Sequence, residues 1–191
     1  MKEKILFVNS CVRGNNESRT LALAKTALSR LDGDIEEIRL ADADLKPLDA
    51  AGLAKRAESA EKNDFSDPVY DCAKQFAACD TVVIAAPFWD YSFPAFLKIY
   101  IESLCVGGLT FLYGSDGVPI SYCRAKTLIY ITTSGGYIGG TDFGFEYIKT
   151  VTKSFFGIEN FSFFSAEGLD ILGNDPAAIL KAAQEKIERE L

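Results

Sequence analysis

Short apolar runs alternate with amphipathic segments along the whole chain. The apolar runs are rich in β-branched residues, which is typical of strands covered on both faces of a sheet. The segments between them repeat apolar residues at spacings of three and four, the period of a helix that packs on one side. We predict strands at residues 4–9, 35–40, 81–86, 126–132 and 160–165, and helices at residues 18–31, 67–79, 94–105, 143–156 and 176–190.

Two segments interrupt this alternation. Residues 41–66 are polar and contain Pro47 and Gly52, so we expect only short helical pieces there. Residues 108–124 hold two short apolar runs around a Gly-Ser-Asp-Gly turn, which predicts a hairpin excursion. The rest predicts one α/β domain over residues 1–191, a doubly wound five-stranded parallel sheet with helices on both faces.

Composition excludes several kinds of chemistry. The chain has no histidine, which rules out Ser-His-Asp triads, Cys-His dyads and histidine-ligated metals. Its net charge of −7 argues against nucleic acid as a partner. The five cysteines form no C-x-x-C pair, so we expect reduced, mostly buried thiols, with Cys11 as a small packing residue. An enzymatic activity would therefore depend on a cofactor or on another proton-transferring residue.

The same sequence gives no indication of a membrane or an export route. The longest apolar runs are too short to cross a bilayer. The strand-like run at the N-terminus lacks the small-residue cleavage site of a signal peptide. We therefore expect a cytoplasmic protein.

Ligands of doubly wound sheets bind at the carboxyl ends of the strands, where the strand order reverses. The first loop at such an end covers residues 9–18 and offers hydroxyl, amide and backbone groups just before a helix. That combination suits one phosphate group, because the amides of a helix N-terminus attract anions. The candidate residues are Ser10, Asn16, Glu17 and Ser18. An ordinary helix cap by Asn16 or Ser18 is the alternative interpretation, and Glu17 is expected to face outward.

The second loop, residues 87–93, is rich in aromatic side chains. Exposed aromatic rings are unfavourable in water, so a flat ligand is expected to cover them. Packing of Phe88 and Phe93 in the core or in a subunit interface is the alternative. Trp89, the only tryptophan, is the strongest candidate for a ring contact. The candidate residues of this loop are Pro87, Phe88, Trp89, Asp90 and Tyr91.

The third loop, residues 133–142, contains two pairs of glycines. Paired glycines let backbone amides approach a ligand closely, although such loops are often merely flexible. The candidates are Thr133, Ser134, Gly135 and Gly136, with the last two amides placed to stabilise negative charge on a ligand. A phosphate site, an aromatic site and an amide-rich site together match FMN, which has one phosphate and one flat, hydrogen-bonding ring.

Four segments resemble the FMN-dependent NADH azoreductases and quinone reductases of the flavodoxin-like superfamily. Residues 85–98 resemble the family pattern A-P-M-Y-N-F-x-x-P-x-x-L-K, residues 131–136 resemble I-T-S-R-G-G, and residues 164–168 resemble F-x-x-A-E-G. The hairpin with Gly108, Thr110, Phe111 and Tyr113 is also similar to the family. The resemblance spans nearly the whole chain. It implies a flavodoxin-like fold, FMN as cofactor, NADH or NADPH as electron donor, and a homodimer with the active site at its interface.

The resemblance also implies a role for each loop. It places phosphate contacts at Ser10, Asn16, Glu17 and Ser18, ring and ribityl contacts at Phe88, Trp89, Asp90 and Tyr91, and a second ring-edge loop at Thr133, Ser134, Gly135 and Gly136. Two positions depart from the family pattern. Ser134 stands where the family often has arginine, and Asp90 where it often has asparagine. A carboxylate near the flavin disfavours the anionic reduced ring and lowers the reduction potential.

These observations lead to one main hypothesis and two alternatives. The main hypothesis is an oxidoreductase in which FMN takes a hydride from NADH or NADPH and passes two electrons to a quinone, an azo compound or a nitro aromatic, in a ping-pong cycle. No catalytic side chain is required, since the flavin carries the chemistry. The alternatives are a flavodoxin-type electron carrier, which the acidic surface suits, and a flavin-free interaction protein.

Overall fold

The computed structural model describes residues 2–14, 17–140 and 142–191. The strands of these ranges are β1 (Glu3–Asn9), β2 (Gly33–Arg39), β3 (Thr81–Ala85), β4 (Phe111–Tyr113), β5 (Pro119–Ser121), β6 (Thr127–Thr133) and β7 (Asn160–Ala166). The helices are α1 (Arg19–Ser29), α2 (Ala50–Lys62), α3 (Asp71–Ala78), α4 (Ala95–Leu104), α5 (Phe145–Phe156) and α6 (Pro176–Glu190), with a short 3-10 turn before α3 (Pro68–Tyr70).

Five strands form one parallel sheet in the order β2-β1-β3-β6-β7. The chain moves outward from β1 to β2 and then returns to β3 on the other side of β1, so the strand order reverses between β1 and β3. Strands β4 and β5 pair separately as an antiparallel hairpin. The predicted doubly wound sheet and its hairpin excursion are confirmed.

The alternation of side chains along the strands creates a hydrophobic core on each face of the sheet. In β3, Val82 and Ile84 belong to one core, whereas Val83 and Ala85 belong to the other. The first core includes residues of α3, α4 and α5, such as Phe76 and Phe156, whose ring centroids are 4.9 Å apart. The second includes residues of α1 and α6. Helices therefore cover both faces, as the continuous apolar strands predicted.

The prediction of only short helical pieces in residues 41–66 is wrong, because α2 runs for 13 residues from Ala50 to Lys62. Asp49 caps its N-terminus by accepting a hydrogen bond from an amide of the first turn, and Asn63 ends it in the left-handed conformation. No side chain of α2 is buried, although Leu53 and its alanines recur at helical spacing. The two expected breakers do not interrupt the helix, because Pro47 lies before the Asp49 cap and Gly52 lies in the first turn. The alanines add intrinsic helix propensity.

Polar contacts attach α2 to the rest of the molecule. The Arg56 guanidinium donates hydrogen bonds to the carbonyl oxygens of Glu102 and Cys105, at 3.0 and 3.2 Å, at the C-terminal end of α4. The Tyr70 hydroxyl lies 3.0 Å from Ser59 Oγ. Among the described residues, no helix is both long enough and apolar enough to cross a lipid bilayer.

Two leucines on different helices test the contrast between a core helix and α2. Leu97 of α4 is fully buried, whereas Leu53 of α2 is 57% exposed. We expect Leu97→Ala to lower the free energy of unfolding by about 2–5 kcal/mol through lost burial and a residual cavity. Leu53→Ala, the matched control, should change it by less than about 0.5 kcal/mol. Urea denaturation measures both, and equal losses would contradict the packing described here.

Candidate functional site

The three predicted loops meet at the carboxyl ends of β1, β3 and β6, next to the reversal of strand order. They enclose a cleft of about 200 Å³. It is lined by Cys11, Val12, Arg13, Glu17, Ser18, Arg19, Thr20, Pro87, Phe88, Trp89, Thr133, Gly135 and Asp170. Seven of the residues singled out from the sequence thus share one site: Glu17, Ser18, Pro87, Phe88, Trp89, Thr133 and Gly135.

The first loop ends in a capped helix that points its N-terminus at the cleft. Ser18 is the N-cap of α1, and its Oγ accepts a hydrogen bond from the Leu21 amide at 3.2 Å. The ordinary capping role is therefore present, and the hydroxyl proton remains available to a ligand oxygen. Glu17 is exposed at the rim, as expected. The predicted candidate Asn16 lies outside the described residues.

Ser10 precedes Cys11, which lines the cleft, and is almost fully buried. Its backbone amide donates to the carbonyl oxygen of Ala85 at 2.9 Å. Within the described residues its Oγ has no hydrogen-bond partner. A buried hydroxyl without an acceptor is costly, so this orphaned group favours a ligand that brings an acceptor oxygen, as a phosphate does.

Cys11 contributes a neutral thiol to this wall. Its Sγ is buried and lies 3.8 Å from the carbonyl oxygen of Ala85. Burial raises the pKa of the Cys11 thiol above its ordinary value, despite the opposing influence of Ser18 and Arg39. This environment favours the small packing residue expected from the sequence over a reactive thiolate.

The second loop is a tight, strained turn. The backbones of Trp89 and Ser92 exchange two hydrogen bonds, at 3.0 and 2.7 Å, around Asp90 and Tyr91. Both central residues have positive φ, 51° and 63°, as a two-residue hairpin turn of this kind requires. A bulky side chain in that region costs on the order of 1–3 kcal/mol, and such strain tends to occur at ligand sites.

The turn separates the candidate side chains of this loop into two sets. Pro87, Phe88 and Trp89 line the cleft, and Trp89 remains 44% exposed. The Phe88 amide donates to the carbonyl oxygen of Thr133 at 3.0 Å, which fixes this loop beside β6. Asp90 and the 62% exposed Tyr91 stand outside the cleft lining.

The third loop is held by a ladder of backbone hydrogen bonds from residues 168–170. The carbonyl oxygen of residue 134 accepts a hydrogen bond from the amide of residue 169 at 3.1 Å. The carbonyl oxygens of residues 135 and 136 accept hydrogen bonds from the amides of residues 170 and 168, both at 2.9 Å. The carbonyls of residues 134 and 135 share their peptide units with the amides of Gly135 and Gly136, and in a trans peptide the N–H points opposite to the C=O. The amides of Gly135 and Gly136 are therefore directed away from residues 168–170. Ser134 is buried, and its Oγ donates to the Gly136 carbonyl at 2.7 Å rather than lining the cleft.

Two side-chain contacts across the cleft were not foreseen from the sequence. The Arg19 guanidinium binds the Asp170 carboxylate through two hydrogen bonds, at 2.8 and 3.2 Å. The hydroxyls of Thr20 and Thr133 lie 2.6 Å apart and are buried. Both contacts join residues more than a hundred positions apart, so no local pattern could have indicated them.

The Asp170 carboxylate lies directly against Gly135. A Cβ on Gly135 would lie 2.5 Å from Asp170 Oδ2, well inside contact distance. The hydrogen bond from Arg19 holds the pKa of the Asp170 carboxyl below its ordinary value. Absence of a side chain at residue 135 thus lets the carboxylate occupy its place against Arg19.

A larger cavity of about 550 Å³ lies between α2 and the start of α3. No described residue of the three predicted loops lines it. Its cations are already engaged, because Lys55 pairs with Asp67 and Arg56 donates to the backbone carbonyls of α4. The smaller cleft combines a helix N-terminus, an orphaned buried hydroxyl nearby and an exposed aromatic ring, so it is the stronger candidate for a cofactor site.

This fold defines a flavodoxin-like α/β protein with a cleft at the β1/β3 reversal. A sequence profile of the family described as having a flavodoxin-like fold matches residues 3–191. The chain belongs to this family, which confirms the resemblance found in its loops.

Individual relatives agree with this assignment. The chain is 32% identical to a protein named FMN-dependent NADH:quinone oxidoreductase 2 from Clostridium acetobutylicum, over 98% of this chain and 97% of the relative. An azoreductase structure from Bacillus anthracis superposes with a TM-score of 0.83, at 21% identity and 98% and 97% coverage. An FMN-dependent NADH-azoreductase from Bacillus anthracis, solved in complex with FMN, gives a TM-score of 0.78 at 22% identity and 98% and 96% coverage.

The two neighbouring glycines of the third loop provide a matched test of the site geometry. Among the described residues, a Cβ at residue 136 meets nothing within 4 Å, in contrast to residue 135. We expect Gly135→Ala to push the Asp170 carboxylate away from Arg19 and raise its pKa toward the ordinary value, while Gly136→Ala leaves it unchanged. Carboxyl-carbon NMR titration measures this pKa. An unaltered Asp170 titration in Gly135→Ala would contradict the described contact.

Proposed function

We propose that the chain is an FMN-dependent NAD(P)H oxidoreductase that reduces quinones, azo compounds or nitro aromatics. The observation that carries the proposal is the meeting of three chemically different loops in one cleft at the strand-order reversal. The family assignment and the relatives named as NADH:quinone oxidoreductases support it.

The residues present suit the parts of FMN. We assign the phosphate to the N-terminus of α1, with hydroxyl donors from Ser18 and Ser10 and with Asn16 and Glu17 as the further candidates on this loop. The Glu17 amide already donates to the Gly14 carbonyl at 3.0 Å and is not among the donors. The orphaned Ser10 Oγ supports this assignment, since it lacks an acceptor among the described residues. Arg13, exposed on the same loop and lining the cleft, adds positive charge there.

We assign the flat ring to the space between Trp89 and the third loop. Phe88 and Trp89 provide apolar surface, and the strained turn at Asp90 and Tyr91 supports their position and forms the outer rim. Thr133 and Ser134 hold the third loop through their hydrogen bonds, and the amides of Gly135 and Gly136 would meet the polar edge of the ring.

Bound FMN would supply the redox chemistry by accepting a hydride from NADH or NADPH and delivering two electrons to the acceptor. Because donor and acceptor would use the same open face of the site in turn, we propose ping-pong kinetics. The Gly135 and Gly136 amides would stabilise negative charge on the ring, as preorganised backbone donors do elsewhere. The Asp90 carboxylate would oppose that charge and lower the reduction potential.

We further propose a homodimer that completes the site. The cleft, at about 200 Å³, is smaller than the roughly 300–1,000 Å³ of sites that enclose ligands of this size. A second wall would therefore have to come from another chain. The hairpin exposes five large apolar side chains, about half of each, at Leu112, Tyr113, Val118, Ile120 and Tyr122. Such a patch is unusual for a monomer and would suit this interface.

The cytoplasm is the location that we propose. All five cysteines are free thiols, and burial raises the pKa of Cys79 and Cys123 to about 12. Thiols are maintained in that state in a reducing compartment, where nicotinamide donors are also present.

A flavodoxin-type electron carrier is the second candidate, because the net charge of −7 suits docking on a basic redox partner. Anaerobic stopped-flow mixing of the FMN-loaded protein with NADH and with NADPH separates the two functions. In a reductase, the visible absorbance of the oxidised flavin, at about 450 nm, disappears within about a second at millimolar donor concentration. A carrier retains that absorbance with both donors, and that result would exclude the proposed activity.

Substitution of Ser18 distinguishes phosphate binding from ring binding. We expect Ser18→Ala to weaken FMN binding by about tenfold, since one charge-assisted hydrogen bond is lost, and to leave riboflavin binding unchanged. Quenching of the single tryptophan fluorescence reports both affinities. Ser29→Ala at the other end of α1, where the hydroxyl donates to the Thr26 carbonyl, is the control. Equal losses for FMN and riboflavin would refute a phosphate contact at Ser18.

The hairpin tests the proposed dimer. We expect the native chain to sediment as a dimer and Ile120→Lys to shift it toward the monomer, because a buried interface lysine lacks a partner. Ile35→Lys, at a site 46% exposed on the edge strand β2, is the matched control and should leave the dimer intact. Analytical ultracentrifugation measures both, and a monomeric native chain would overturn this part of the proposal.

A further inference from the structure

We propose that Arg19 and Asp170 form a latch that positions the third loop and thereby sets the preference of the site for reduced over oxidised flavin. This inference rests on the proposed FMN binding and concerns two positioning residues. Neither residue was singled out by the loop patterns of the sequence.

The latch connects the two walls of the cleft. Arg19 is the first residue of α1, directly after the cap that we assign to the phosphate. Asp170 follows β7 and lines the opposite wall. The bidentate pair is extended by a longer hydrogen bond, 3.5 Å, from Arg19 to the carbonyl oxygen of Leu169. A forked guanidinium contact of this kind fixes direction as well as distance.

The position of Asp170 is passed on to the amides of the third loop. The backbone amide of Asp170 donates to the Gly135 carbonyl at 2.9 Å, and its neighbours bind the carbonyls of residues 134 and 136. Asn174 holds the same segment from the other side by donating to the Gly168 carbonyl at 2.7 Å. A shift of residues 168–170 therefore turns the peptide planes of Gly135 and Gly136.

The pair contributes little to the fold itself. Its side chains are 33% and 65% exposed, and exposed ion pairs add little to global stability. Variants that break the pair should therefore fold normally. Their effect should appear in the alignment of the loop and in the properties of the bound flavin.

The sign of the effect separates positioning from simple charge. If only charge mattered, removing Arg19 would disfavour the negatively charged reduced ring, and removing Asp170 would favour it. If the pair acts as a latch, either removal disorders the same amides and disfavours the reduced ring. The two single variants then shift the reduction potential in the same direction.

The experiment compares Arg19→Met, Asp170→Ala and the double variant in the full-length, FMN-loaded protein. We expect each single variant to lower the ratio of reduced to oxidised flavin affinity by about tenfold, which is a fall of about 30 mV for a two-electron couple. The double variant should lose no more than either single variant, because both break one contact. Arg19→Lys should retain part of the preference.

Hydrogen exchange in the FMN-free protein gives a second readout that does not depend on the flavin. We expect faster deuterium uptake at the amides of residues 168–170 in all three latch-breaking variants. Arg124→Met is the matched control, since it breaks an Arg–Asp pair of 2.7 Å with Asp80 at the other end of the sheet. That control should alter neither the potential nor this exchange.

Opposite shifts of the reduction potential in the two single variants, or unchanged hydrogen exchange at residues 168–170, would overturn the latch. Neither result would contradict the proposed FMN binding or NADH oxidation. A native chain that takes up no FMN would overturn the proposed function and the latch together. If both single variants lower the reduction potential and their two shifts simply add in the double variant, the residues do not act through a common contact and the latch is rejected.

Discussion

Strands β1 and β3 lie side by side at the centre of the sheet, yet the chain leaves their carboxyl ends toward opposite faces. After β1 it enters α1, which packs on the core of one face, and after β3 it reaches α4, which packs on the other. Divergence of the two connections leaves a crevice between them, and parallel sheets bind ligands at such a point. Every candidate group of the site takes its position from this constraint.

The groups in the crevice depend on one another through hydrogen bonds rather than through local sequence. Thr20 binds Thr133, Phe88 binds the backbone of Thr133, and the segment after β7 fixes the carbonyls of the glycine loop. These contacts occupy the carbonyl side of the third loop and leave the Gly135 and Gly136 amides directed away from residues 168–170. The positive end of α1 and the carboxylate of Asp170 face the same space, so the Arg19 contact moderates a charge that would otherwise oppose an anionic cofactor.

Backbone strain and an exposed aromatic ring occur together beside this crevice. Tyr91 adopts a left-handed conformation that is unfavourable for a bulky residue, and Trp89 beside it keeps nearly half of its surface in contact with solvent. A stable fold supports such features where the surrounding structure determines them, as the paired backbones of Trp89 and Ser92 do here. The apolar hairpin adds a second exposed surface.

The sequence by itself determined the fold class and the chemistry of the loops. Continuous β-branched runs and amphipathic helices indicated a parallel sheet covered on both faces, and the absence of histidine excluded several mechanisms. Helix α2 escaped this reasoning, because Pro47 and Gly52 predict an interruption of the helix, whereas Pro47 lies before the Asp49 cap and Gly52 is accommodated in the first turn. Only the tertiary structure decided which groups meet across the cleft. Ser134 turned inward, Asp90 and Tyr91 formed a turn outside the lining, and Arg19 found Asp170 about 150 residues away. Local patterns record the period of each element, whereas contacts between distant residues arise only when the elements pack.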